Sequence, residues 1–90
     1  MASVEIYSVP VCSYCVRAKQ LLAGKGVDFT EYDCSVDDAA LERVRKLTTR
    51  KTFPQIFING EGIGGFDELY DLERDGSLDR LLAAGNAKVD

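Results

Sequence analysis

Two cysteines with two residues between them, Cys12 and Cys15 in the run Val11-Cys12-Ser13-Tyr14-Cys15-Val16, are the side chains of this sequence best suited to chemistry. They fall where an apolar strand hands over to a helix, which puts Cys12 at the helix N-terminus. Unpaired backbone N–H groups and the positive end of the macrodipole favour an anion there. A thiolate is such an anion, and cysteines of Cys-X-X-Cys pairs ionise at roughly pH 3.5 to 7.5, against about 8.5 for a free thiol. Cys15 returns to the same helical face and can close a disulfide with Cys12. The pair therefore suits a redox switch. A structural zinc site takes four ligands, and this chain has three cysteines and no histidine. Haem attachment needs a histidine where Val16 stands.

The elements that must position the pair follow from periodicity. Residues 3 to 9 alternate, Val4, Ile6 and Ser8 against Glu5, Tyr7 and Val9, as a strand does. After Pro10 the period changes, and from Ser13 onward Cys15, Ala18 and Leu22 share one helical face. Gly24 and Gly26 stop that helix. Val27 to Asp33 is expected as a second strand with Phe29 facing inward, which completes a right-handed βαβ unit. Ser35 is the expected N-cap of a second helix running to about Leu47, with Ala40, Val44 and Leu47 at helical spacing. Thr48 to Thr52 is a polar loop carrying Arg50 and Lys51. In the segment from Gln55 to Ile63, Asn59-Gly60 between apolar runs signals a two-residue hairpin. Phe66, Leu69, Tyr70 and Leu72 form a third helix, and a break at Gly76-Ser77 leads into a short fourth one. The order β-α-β-α-β-β-α predicts an α/β fold, a mixed four-stranded sheet with helices on both faces. Cys12 lies beyond the carboxyl end of the first strand, the edge where open α/β sheets bind ligands.

Composition bounds the setting. Ninety residues suffice for one core, expected over residues 1–84, with residues 85–90 expected as a frayed tail. Hydrophobic content of 46%, charged content of 29% and a net charge of -4 give no reason to expect nucleic acid or an anionic membrane as partner. No apolar run approaches a membrane span. The start lacks the basic and apolar regions of a secretory signal. An odd cysteine count suits a disulfide framework poorly, so a reducing, cytoplasmic setting is expected. Cys34, at the end of the second strand, is expected to be a partly buried apolar residue.

Three motifs in order, Cys12-Ser13-Tyr14-Cys15, Thr52-Phe53-Pro54 and Gly64-Gly65-Phe66-Asp67, make the chain similar to the glutaredoxins from Val4 to Leu82. The resemblance implies a thioredoxin-like fold and a monomeric, glutathione-dependent thiol-disulfide oxidoreductase. Its substrates would be protein disulfides and protein-glutathione mixed disulfides. Cys12 would attack and Cys15 would resolve, with glutathione as co-substrate and no bound metal or organic cofactor. The implied glutathione groove consists of Tyr14, Arg50, Lys51, Thr52, Phe53, Pro54, Gly65, Phe66 and Asp67. Pro54 would be cis, as in the family, and Phe53, held extended by it, would pair its backbone with the tripeptide. Asp67 would cap the third helix and hold the γ-glutamyl ammonium, while Arg50 and Lys51 would meet the glycine carboxylate. Two positions depart from the family pattern. Ser13 replaces a common proline, and Val9 stands where many relatives carry lysine, leaving carboxylate capture to Arg50 or Lys51. Some relatives with serine after the first cysteine hold a bridging [2Fe-2S] cluster between two protomers. The resemblance therefore also implies an alternative, a cluster-binding dimer ligated by Cys12 and glutathione.

Overall fold

Alternation along β1 (Val4–Ser8) sorts the apolar side chains into two cores, one on each face of the sheet. Val4 and Ile6 join Ala18, Leu22, Ile56, Ile58, Leu69 and Leu78 on one face. Tyr7 points the other way and packs with Cys34, Ala40, Val44 and Phe57. In this computed structural model, which describes residues 3–84, three more strands follow, β2 (Thr30–Asp33), β3 (Gln55–Ile58) and β4 (Glu61–Gly64). The helices are α1 (Ser13–Gly24), α2 (Asp38–Leu47), α3 (Phe66–Asp75) and α4 (Ser77–Ala84). The two cores place α1, α3 and α4 over one face and α2 over the other. The expected tail, residues 85–90, lies outside the described residues.

The sheet order is β2-β1-β3-β4. β1 runs parallel to β2 and antiparallel to β3, and β3 pairs antiparallel with β4. This is the mixed four-stranded, thioredoxin-like sheet. Its hairpin turns at Asn59 and Gly60, both at positive φ (55° and 83°), the pair of left-handed residues that a type I′ turn needs. Asn59 also binds both strand and helix neighbours: its Oδ1 accepts from the Ser3 N–H and its Nδ2 donates to the Leu81 carbonyl. On β4 the register slips between Ile56 and Phe57, whose partners are Gly64 and Gly62. The extra residue, Ile63, makes a bulge that turns the strand end toward α3.

Two boundaries differ from those expected. β2 begins at Thr30, not Val27. Val27 and Phe29 still pack on the core, but from the connection, where apolar burial needs no strand pairing. The N-cap of α2 is Asp37, whose Oδ1 accepts from the Ala40 N–H at 3.0 Å, and not Ser35. Ser35 instead closes a turn on Asp33, donating its N–H and hydroxyl to Oδ1. Leu47, counted in the apolar repeat of α2, is half exposed.

Candidate active site

Chain direction and helix capping bring the two thiols together. β1 ends at Ser8, the chain bends through Pro10 and Val11, and Cys12 becomes the N-cap of α1 in an extended conformation (φ -132°, ψ 105°). The Cys15 N–H donates to Cys12 Sγ at 3.1 Å, so the sulfur takes the place usually filled by an N-cap oxygen. The two sulfurs are joined as a disulfide, with Cα atoms 5.2 Å apart. Cys12 is half-buried and Cys15 buried, so an incoming sulfur meets Cys12 first. Cys12 Sγ also lies 3.9 Å from the Phe53 carbonyl oxygen.

That contact joins the sulfur to a groove of about 300 Å³ between the loop before β3 and the start of α3. The Phe53-Pro54 bond is cis. Gln55 Nε2 donates to the Thr52 carbonyl at 2.8 Å and holds the loop from inside. Among the described residues the Phe53 N–H has no partner, so it is free for a ligand. Two rings line the groove, Tyr14 stacked on Phe66 with centroids 6.2 Å apart, and Tyr70 stacks on Phe66 in turn at 5.8 Å.

Of the nine residues expected around the groove, eight line it: Tyr14, Arg50, Thr52, Phe53, Pro54, Gly65, Phe66 and Asp67. Lys51 does not. It borders a second cavity of about 480 Å³ behind the loop, with Leu41, Val44 and Arg45. Arg50, Thr52 and Phe53 border both cavities, whereas Lys51 borders only the one behind the loop, and no periodic pattern in a loop foretells that difference. Asp67 is not the cap of α3 either. Gly65 is the N-cap, and Glu68 reaches back so that its Oε1 accepts the Gly65 N–H at 2.8 Å. With no side chain on Gly65, this is only half of a capping box. Asp67 is left exposed on the first turn, beside the helix N-terminus.

Glu68 is the groove residue that sequence reasoning missed. The signal was present, an acid at the third position of a helix that begins after glycine. Its Oε1 also meets Arg50 Nη2 at 3.6 Å across the groove. The Gly65 N–H, with Arg50 assisting, holds the Glu68 carboxyl below its ordinary range. Gly64 makes this meeting possible, because a Cβ there would stand 2.7 Å from Arg50 Nη1 and 2.9 Å from Glu68 Oε1.

Cys34 stays apart from the redox pair. It is buried in the α2-side core, and burial, reinforced by Asp37 and Asp33, pushes its thiol pKa up. Among the described residues no group of three or more His, Cys, Asp or Glu side chains is gathered to hold a metal ion. A cluster bridged through Cys12 would first need the bond to Cys15 reduced.

Comparison with known proteins agrees with this geometry. The glutaredoxin family model matches residues 4–63. The chain is 51% identical over 83 residues to a probable glutaredoxin of Synechocystis, covering 91% of this chain and 76% of that protein. It is 50% identical over 82 residues to glutaredoxin 3 of Escherichia coli, covering 91% and 99%. The crystal structure of a buckwheat glutaredoxin-glutathione complex superposes with a TM-score of 0.85 at 29% identity, over 96% of this chain and 81% of that one. A bonded Cys12-Cys15 pair at a helix start, on this sheet and with these relatives, makes the chain a member of the glutaredoxin family, a family of thiol-disulfide oxidoreductases.

Proposed function

We propose that the protein is a glutathione-dependent oxidoreductase that reduces protein disulfides and protein-glutathione mixed disulfides in the cytoplasm, working as a monomer. The observation that carries this reading is the sulfur of half-buried Cys12, facing a backbone N–H at 3.1 Å and lying 3.9 Å from the carbonyl oxygen of Phe53, a residue of the groove. Once the disulfide is reduced, a donor aimed at the sulfur favours the thiolate over the thiol. That thiolate attacks the glutathione sulfur of a mixed disulfide. The old S–S bond breaks, the protein leaves as a thiolate that takes up a proton, and glutathione stays bonded to Cys12. A second glutathione thiolate then attacks the glutathione sulfur, giving glutathione disulfide and free Cys12. For a protein disulfide, the buried Cys15 attacks Cys12 in the mixed disulfide and releases the substrate's second thiol. Two glutathiones then reduce Cys12-Cys15 and leave as glutathione disulfide.

The groove fits the tripeptide by its chemistry. The free Phe53 N–H and carbonyl can pair with the backbone of a cysteinyl residue. Asp67 offers a carboxylate to the γ-glutamyl ammonium, Arg50 offers a guanidinium to a carboxylate, and Tyr14 covers the ligand. The buckwheat relative of the same fold is a glutathione complex. The test is glutathione-coupled turnover of a glutathionylated peptide and of a protein disulfide by wild type, Cys12→Ser and Cys15→Ser. Cys12→Ser should abolish both activities, whereas Cys15→Ser should lose the protein disulfide and keep the glutathionylated peptide. Equal loss in both variants, or wild-type turnover independent of glutathione, contradicts the assignment.

A further inference from the structure

Val11, the residue before Cys12, breaks two local rules at once. Its φ is 54°, in the left-handed region, where a β-branched side chain is an outlier and glycine, asparagine or aspartate are the usual occupants. Its side chain is also fully exposed, at 105% of the reference area. An apolar side chain there gains nothing from burial, so the folded protein alone gives no return for the strained backbone. Outliers of this kind persist where surrounding structure enforces them, and they gather at functional sites.

The surroundings of Val11 point to what covers it. Any sulfur exchanging with Cys12 Sγ must bring its own chain across the residues that adjoin Cys12. The glutathione half of a mixed disulfide has the groove, whose lining includes Tyr14 and Phe53 but not Val11. The other half is left the exposed residues that adjoin Cys12 outside that lining, among them Pro10 and the fully exposed, apolar Val11. We infer that the left-handed bend at Val11 raises an apolar contact for the protein half of the substrate, selecting segments that carry an aliphatic side chain beside the reactive cysteine. The inference rests on the proposed function and adds a preference among protein thiols.

The experiment uses two glutathionylated peptides identical except for leucine or serine beside the cysteine, with kcat/KM measured for wild type, Val11→Thr and Val11→Asn. Wild type should favour the leucine peptide by about tenfold, the worth of partly burying one aliphatic side chain. Val11→Thr keeps the β-branched shape and the strain but replaces a methyl by a hydroxyl, and should lose most of that preference. Val11→Asn should lose it too and, because asparagine tolerates this φ, should raise the melting temperature by a few degrees, on the order of 5 °C. A wild type that does not discriminate, or variants that discriminate as wild type does, overturns the inference. A Val11→Asn melting temperature at or below wild type overturns its strain component. If wild type turns over neither peptide with glutathione, the proposed function itself has failed.

Discussion

Gly64→Ala tests how the groove is held open. Gly64 ends β4 at φ 115°, a conformation in which an L side chain is strained by about 1–3 kcal/mol. The added Cβ would stand 2.7 Å from Arg50 Nη1, the far end of a flexible side chain that can swing away at little cost. It would also stand 3.0 Å from Glu68 Cγ, which is close to the backbone of α3 and cannot move without taking the carboxylate with it. The bond from the Gly65 N–H to Glu68 Oε1 then lengthens or breaks, a loss of about 1 kcal/mol. The Arg50-Glu68 pair adds little, since both side chains are more than 40% exposed. The sum is roughly 2–4 kcal/mol, which for a domain of this size lowers the melting temperature by roughly 10 °C or more. Gly24→Ala is the matched control. Nothing lies within 4 Å of a Cβ at Gly24 and its φ is not positive. The same chemical change there should leave the protein unchanged or up to about 1 kcal/mol more stable. Both are measured by thermal and urea unfolding followed by circular dichroism. A Gly64→Ala protein melting within about 3 °C of wild type would refute the steric and conformational argument.

Three further outcomes follow from buried and paired groups. Glu31 accepts from Lys19 Nζ at 2.8 Å and from the Ser8 hydroxyl at 2.7 Å, and these bonds, Lys19 first, hold its pKa below the ordinary 4.5. Stability from this depressed carboxylate is present above pH 4.5 and is lost as pH falls through the folded value, so the deficit of Glu31→Gln at neutral pH should shrink toward pH 3 in urea titrations; a constant deficit contradicts the linkage. The buried Tyr7 hydroxyl accepts from Arg43 Nε at 2.8 Å, and Tyr7→Phe should cost about 1 kcal/mol in denaturant unfolding; a variant as stable as wild type shows that this bond contributes nothing. In the reduced protein near neutral pH, iodoacetamide should label Cys12 well before the buried, pKa-raised Cys34, as read by peptide mass spectrometry. Equal rates at both thiols would show that the α2-side core opens to the reagent.

The sequence alone determined what is periodic or tied to local chemistry. The alternation of Val4, Ile6 and Tyr7 assigned each to its face, and Asn59-Gly60 specified the hairpin, because each signal acts within a few residues. Cys12-X-X-Cys15 after a strand was legible for the same reason, since a helix start and its cap are local. Tertiary structure decided the matters that depend on which segments meet. Arg50 and Lys51 are adjacent in an aperiodic loop, and only the packing of that loop between α3 and α2 let Arg50 border both the groove and the second cavity while Lys51 borders the second cavity alone. Glu68 rather than Asp67 satisfies the N-cap N–H of α3, because a carboxylate at the third helical position reaches the Gly65 N–H. The space that lets Glu68 also meet Arg50 exists because Gly64, on a different element, carries no side chain. Such a three-way approach has no period and no fixed spacing, so it becomes visible only when the chain is folded.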